Sequence, residues 1–269
     1  MTATTTETWV QAKGARLYAR SEGPEDAPAF MFCNSLATDH SMWNAQATLL
    51  AGRYRVLRYD RRGHGKSEAP AGAYSMAMLV EDAVAVLDHF GVRRASYMGL
   101  SLGGMTGIGL SLAHPERVER LVCCDCRADA PAEFRASWDE RIAAVRAGGM
   151  QAVLQATVER WLRPAFRQAD PATVKRIEAM ILHTPVAGYE GCGRAIQGLD
   201  YFKDLGRMRV PTLYVTGEFD AGAMPPVMQA MADATPGARL AVVPGSHHLP
   251  NIDNEKAFED AIAAFVGLR

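Results

Sequence analysis

Short, unbroken apolar runs recur along this chain, and most are followed by a segment whose apolar residues fall at helical spacing. Ala29–Cys33 is such a run, and Tyr54–Tyr59 reads as the next strand, with a short helical pattern from Trp43 to Leu50 between them. A run that is apolar at every position, rather than at alternate ones, suits a strand covered on both faces. Ser75 to Phe90 places Met78, Leu79, Ala83, Val86, Leu87 and Phe90 on one helical stripe, stopped by Gly91. The alternation continues with strands at Ala95–Met98, Leu121–Cys124, Thr212–Thr216 and Arg239–Val243. Helices follow at Met105–His114, Pro225–Thr235 and Asn254–Val266. Ahead of all these, Trp9–Gln11 and Ala15–Arg20 read as a hairpin about Lys13-Gly14. The pattern predicts an α/β fold with a mostly parallel central sheet and helices on both faces. One stretch breaks the alternation. From Ala130 to Leu199, helical patterns at Ala132–Ala147, Met150–Trp161, Pro171–Leu182 and Tyr189–Ile196 follow one another with no strand between them. We read residues 130–199 as a helical cap inserted into a core made of residues 1–129 and 200–269.

Composition narrows this picture only slightly. The chain has 269 residues, 48% hydrophobic and 22% charged, with a net charge of −1. Its arginines are scattered, so no basic surface for nucleic acid is expected. No apolar run has the length of a membrane span. Met1 to Thr8 is polar and Thr-rich and lacks the pattern of a secretory leader. Five cysteines, three of them crowded at Cys123, Cys124 and Cys126, cannot form a disulfide framework. Their spacing also lacks the usual gap of a zinc site, so they read as buried core thiols. A reducing, cytoplasmic setting fits, with no metal and no cofactor required. Oligomeric state is not legible.

The chemistry enters at Gly99-Leu100-Ser101-Leu102-Gly103-Gly104. This is a G-x-S-x-G stretch lying between a strand and a helix. There the serine sits on a sharp turn with its hydroxyl exposed above the sheet edge. Small residues must flank it because strand and helix crowd together, and Gly99 and Gly103 supply them. The amides of the following helix face a developing oxyanion.

In parallel sheets of this kind, ligands bind beyond the carboxyl ends of the strands. Glu218 and Asp220 follow the strand at Thr212–Thr216. His247 and His248 follow the strand at Arg239–Val243. A serine, an acid and a histidine thus stand at three strand ends, in the order Ser, Asp, His. Histidine would take the serine proton during attack on an acyl carbon, and a carboxylate would fix its tautomer. On residues alone, His247 competes with His248, while Glu218 and Asp125 compete with Asp220. Two backbone amides should hold the oxyanion, one from Leu102 and one from Leu36 in the loop after Cys33. His40, His64, His89, His114 and His183 read as surface or loop-structuring residues. Arg61–Ser67 lacks the spacing of a phosphate loop.

The chain resembles the α/β-hydrolase superfamily, and within it the 3-oxoadipate enol-lactonases of aromatic-acid breakdown. The resemblance runs over nearly the whole chain. Cys33–Thr38 with Met42-Trp43-Asn44 is similar to the oxyanion-loop segment, Arg55–Ser67 to the next strand and turn, and Gly99–Gly104 to the elbow. The cap shows the likeness most specifically, in Ser137–Met150, Glu159–Leu162 and Thr184–Tyr189. His248, in His248-Leu249-Pro250-Asn251-Ile252, matches the family base, and Asp220 its acid. Departures occur at Asp125-Cys126-Arg127, where the family carries a neutral Asn-Thr-Ala stretch, at Ala37, which replaces a common glycine, and just after Asp220.

The resemblance implies a serine hydrolase that opens a small carboxylated lactone. A free carboxylate on the substrate calls for a cation in the pocket. Arg127, Arg135, Arg141 and Arg163 are candidates, with Trp138 and Trp161 as walls, although each arginine taken singly also reads as a solvated helix face. The alternatives are a carboxylesterase, another lactonase or a C–C bond hydrolase on the same fold. A non-catalytic binding protein on this scaffold would show a broken triad, and here all three positions are filled. A dehalogenase would need aspartate where Ser101 stands.

Overall fold

The computed structural model describes residues 5–268. The ends of the expected core, at residues 1–4 and 269, and half of the segment searched for a leader lie outside the described residues. Strands β1 (Thr6–Ala12) and β2 (Ala15–Glu22) pair antiparallel about Lys13-Gly14. They are followed by β3 (Ala29–Cys33), α1 (Asn44–Leu50), β4 (Arg55–Tyr59), α2 (Met76–His89), β5 (Ala95–Leu100), α3 (Leu102–Ala113) and β6 (Val118–Cys124). Five helices come next: α4 (Ala132–Gly148), α5 (Gln151–Trp161), α6 (Pro164–Ala169), α7 (Pro171–His183) and α8 (Val186–Gln197). The chain closes with β7 (Thr212–Gly217), α9 (Pro225–Ala234), β8 (Arg239–Val243), α10 (Pro250–Asp253) and α11 (Glu255–Ile262).

The eight strands form one sheet in the order β1-β2-β4-β3-β5-β6-β7-β8. Only the pairs made by β2 are antiparallel. Every residue of β5 and β7 is buried, so both faces of the sheet centre are covered, as unbroken apolar runs require. The register puts the parallel strand ends in line. Cys33 pairs with Gly99, Gly99 with Cys123, and Cys123 with Tyr214. The loops after β3, β5, β6, β7 and β8 therefore leave from one edge of the sheet.

Several elements differ from the sequence reading, each for a local reason. Helix α3 starts at Leu102, three residues before the expected Met105. Gly103 and Gly104 look like helix breakers, but this helix is almost wholly buried, and packing overrides their low propensity. Helices α6 and α10 were not expected; each is a short turn with proline at its first position, too brief for a periodic pattern. Helix α2 runs as read, with the Ser75 hydroxyl accepting the Met78 N–H at 3.2 Å as its cap.

All five cysteines are buried and free. Among the described residues, no helix is long and apolar enough to cross a membrane.

The helices after β6 meet the loops of the sheet through several backbone contacts, one of them very close. Gly188 in α8 lies against Gly63, in the loop after β4, so closely that a Cβ on Gly188 would overlap the Gly63 backbone. No flexible side chain is there to give way. Gly188→Ala should therefore lower stability by about 1–3 kcal/mol, as overpacking in a rigid core does. Urea unfolding, with the denaturant slope unchanged, would show it.

Candidate active site

Ser101 stands between β5 and α3 with φ 56° and ψ −117°. A non-glycine residue reaches such angles only when its surroundings impose them. Here the Ser101 N–H donates to the Cys124 carbonyl at 2.8 Å, and the Ser101 carbonyl accepts the Met105 N–H at 3.0 Å. The turn is crowded as expected. A Cβ on Gly103 would overlap the Cys33 carbonyl, and one on Gly99 would overlap the Gly103 carbonyl. Leu102 is the first helical residue, so its amide has no partner within the helix.

His248 and Asp220 are brought together. The His248 Nδ1–H donates to Asp220 Oδ2 at 2.8 Å, and the other Asp220 oxygen accepts the Gly222 N–H at 2.7 Å. Trp161 stacks on the His248 ring with centroids 6.1 Å apart. Burial would raise the Asp220 carboxyl, but the charge and hydrogen bond of His248, with the Gly222 amide, outweigh it and hold the group below its ordinary range. Two of the competing residues, His247 and Glu218, face elsewhere. His247 packs edge-on against Phe219, and the Glu218 carboxylate accepts the Gly245 N–H at 2.8 Å. The segment carrying His248 is pinned on both sides. Asp253 accepts the His247 N–H at 3.1 Å and bonds Ser246, and Asn251 donates to the Met42 carbonyl at 3.0 Å.

Asp125 is fully buried behind this pair, at φ 46°. One of its oxygens accepts the Gly217 N–H at 2.8 Å, while Oδ2 has no partner. Burial, and then the charge of Asp220, push its carboxyl well above the ordinary range.

Ser101, His248, Leu36, Ala37 and Asp125 all line one cavity of about 270 Å³. Trp138, Arg141, Trp161 and Arg127 line it too. Two of the candidate arginines do not. Arg135 is exposed on α4, about 120° around the helix from Arg141, so it cannot share the inward face. Arg163 is half-buried outside the cavity, where its Nε donates to the Asp253 carbonyl at 3.0 Å. Arg127 reaches the cavity, but its charge is met by Asp129 at 3.1 Å and by the Phe134 ring.

Arg160 was not singled out in the sequence, and it is a cation of the cavity with no anion or ring set against it among the described residues. Among the described residues its guanidinium has no hydrogen bond or ion pair. Burial, and then the nearby Arg141, lower it to about 10, which still leaves it charged at neutral pH. Arg141 lies over the Trp138 ring at 4.8 Å. A signal for Arg160 did exist. Thr157, Arg160 and Trp161 fall at the i, i+3, i+4 spacing of one face of α5, and all three line the cavity.

His64 structures its loop, one of the two roles read for it, and does so from the interior and not from the surface. It is fully buried, and its Nε2 accepts the Ala37 N–H at 2.8 Å. Nδ1, bearing the proton, donates to the Arg62 carbonyl at 3.2 Å. Ala37 has φ 57°, and with its amide occupied, the Leu36 amide is left without a partner among the described residues. The loop carrying His64 is itself anchored. Arg62 makes a bidentate bond to buried Asp82 at 2.6 Å, and Arg61 reaches the Asn34 carbonyl.

An α/β sheet whose strand-end loops gather a serine on a tight turn, a histidine and an acid about one cavity defines a class. The chain matches the model of the alpha/beta hydrolase fold over residues 28–255, and it belongs to that family. It is 32% identical to 3-oxoadipate enol-lactonase 2 of Acinetobacter baylyi, over 90% of each chain. It superposes on the crystal structure of the enol-lactonase from Burkholderia xenovorans with a TM-score of 0.92 and 33% identity, covering 96% of this chain and 99% of that one. It is also 28% identical to a putative carbamate hydrolase, RutD, of Variovorax paradoxus, over 93% of this chain and 96% of the relative.

Burial, and then the Arg61 charge, lower the His64 imidazole from 6.5 to about 3. The unfolded chain therefore takes up a proton near pH 6.5 that the folded chain refuses. The contribution is complete above pH 6.5 and is lost as pH falls toward 3, at about 1.4 kcal/mol per pH unit. Between pH 6.5 and 5, urea unfolding should show that slope in the wild type, and His64→Gln should flatten it by one proton.

Proposed function

We propose that this protein is a serine hydrolase that opens a small carboxylated lactone, 3-oxoadipate enol-lactone to 3-oxoadipate in particular, through an acyl-Ser101 intermediate. Residues 130–199 act in this reading as the cap that chooses the substrate. Arg160 carries the substrate assignment: it is an unpaired guanidinium, half-buried beside Arg141, in the cavity that also holds Ser101. Two cations held close in a partly desolvated cavity repel each other, and a substrate carboxylate between them relieves that repulsion. The resemblance to enol-lactonases, and the cap segments that carry it, point to the same substrate class.

In this mechanism Ser101 Oγ attacks the lactone carbonyl as His248 Nε2 takes its proton. Asp220 on Nδ1 fixes the tautomer and steadies the imidazolium. The carbonyl oxygen becomes an oxyanion facing the Leu36 and Leu102 amides. Collapse breaks the ring C–O bond, and the enol oxygen takes the proton from His248. Water then attacks the acyl-serine, giving its proton to His248, and that proton returns to Ser101 Oγ as the acid leaves. Ketonisation of the enol yields the 3-oxo acid.

The wild type should be labelled by a serine-directed phosphonate and should hydrolyse a small aryl ester, and Ser101→Ala should lose at least about a thousandfold in kcat. Absence of both labelling and turnover would sink the hydrolase reading. Asp220→Asn should lose roughly ten-thousandfold in kcat, and retained activity would move the acid's role elsewhere. Arg160→Gln should raise KM for the carboxylated lactone about tenfold or more while barely changing KM for a neutral ester, since a charged hydrogen bond is lost only with the former. Preference of the wild type for neutral esters or carbamates over the lactone would replace the substrate assignment.

A further inference from the structure

Asp125 is a second buried acid at the reaction centre, and the mechanism above gives it no task. It ends β6, whereas Asp220 follows β7, and one oxygen of each lies within 4.8 Å of the other and of a His248 ring nitrogen. Both side chains are shut off from water. Two carboxylates this close in a desolvated place cannot both stay ionised, so one proton is held between them.

The hydrogen bonds say where that proton sits. Asp220 accepts on both oxygens, from His248 Nδ1 and from the Gly222 amide. Asp125 accepts from the Gly217 amide on Oδ1 only, at 2.8 Å, with the Thr216 hydroxyl more distant at 3.4 Å. Its Oδ2 is buried with no partner, a costly state for a carboxylate oxygen. As a protonated hydroxyl the same atom becomes a donor, and the Asp220 carboxylate, with an oxygen within 4.8 Å of an Asp125 oxygen, is the acceptor at hand. The backbone is bent to place it there, with Asp125 held at φ 46° while its N–H donates to the Val215 carbonyl at 2.8 Å.

We propose that Asp125 is a neutral carboxylic acid that donates a hydrogen bond to the Asp220 carboxylate and so acts as a positioning residue for the Asp220–His248 pair. Its proton stays in place through turnover. By sharing the charge of Asp220 it weakens that group's pull on the His248 proton, which sets the pH at which the imidazole becomes free to act as a base. The other titratable or charged groups facing the pair are Cys124 and Cys126 beside Asp125, and Arg160 from α5.

This inference rests on the triad reading for its kinetic arm only. In pH profiles of kcat/KM, Asp125→Asn keeps a donor and the same charge, so the acid limb should stay at its wild-type position whatever the rate. Asp125→Ala removes the donor, so the limb should move to higher pH. Were Asp125 ionised, both variants would delete a negative charge beside His248, and both limbs would fall by about one unit or more. That outcome overturns the proposal, and so does an unmoved limb in Asp125→Ala. Titration of the His248 ring by NMR reads the same shifts without any turnover, so a protein with no activity on the chosen substrate still decides the matter. Should the variants not fold, infrared spectroscopy of the wild type near neutral pH must show the carbonyl stretch of a buried protonated carboxyl. Its absence refutes the proposal.

Discussion

The first turn of α3 approaches the end of β3 with only backbone between them, and the cavity depends on that approach. Gly103 lies against the Cys33 carbonyl with no room for a Cβ. This one contact sets the distance between the loop after β3 and the serine turn after β5. It brings Leu36 and Ser101 to the same cavity, although 65 positions of sequence separate them. The in-line strand ends do the rest, delivering the loops with Asp125, Asp220 and His248 to the same rim.

Behind the rim lies a second layer made of the loop after β4. Asp60, Arg61, Arg62, His64 and Ser67 in it are buried, and several have a clear structural task. Asp60 accepts the His40 and Lys66 amides, Arg62 bonds Asp82, and His64 holds Ala37. A neutral imidazole suits the last task because it can accept from a backbone amide and donate to a carbonyl at once. Charges at this depth hold shape, whereas Arg141 and Arg160 in the cavity make no hydrogen bond or ion pair among the described residues.

How much of this could be read from the chain follows from what each feature depends on. Strand β3 was visible because burial on both faces writes an unbroken apolar run, and β4 and β5 because short, largely apolar stretches alternate with helical patterns. Ser101, Asp220 and His248 stood out as candidates because each follows a strand end, in the chain order Ser, Asp, His. Choosing Asp220 over Asp125 was harder, since both end strands; only the bond to His248 Nδ1 separates them. Helices α6 and α10 were too short to show a period. The start of α3 was hidden by Gly103-Gly104, whose propensity argues against the conformation their burial imposes. Arg135 and Arg141 look alike in sequence, and only the turn of α4 tells them apart. Arg160 needed the face of α5 to be drawn and its neighbours known. His64 stands in a loop whose burial no periodicity announces.

Among the described residues, just three other than glycine adopt positive φ: Ala37, Ser101 and Asp125. All three line the cavity. A left-handed residue bearing a Cβ costs roughly 1–2 kcal/mol relative to an ordinary one. The backbone strain of the molecule is therefore gathered at one rim instead of being spread through the fold. This has an evolutionary consequence. A lineage under selection for heat tolerance would find its readiest single-step gains at these positions, where glycine fits the backbone better. At position 101 that step would remove the serine hydroxyl, and at 125 a buried carboxyl. Only position 37 offers relief without deleting a functional group, and a glycine there would loosen the loop that aims the Leu36 amide. Adaptation to temperature would thus be pushed away from the rim and into the sheet and its covering helices, leaving the cavity as the least stable part of an otherwise hardening protein.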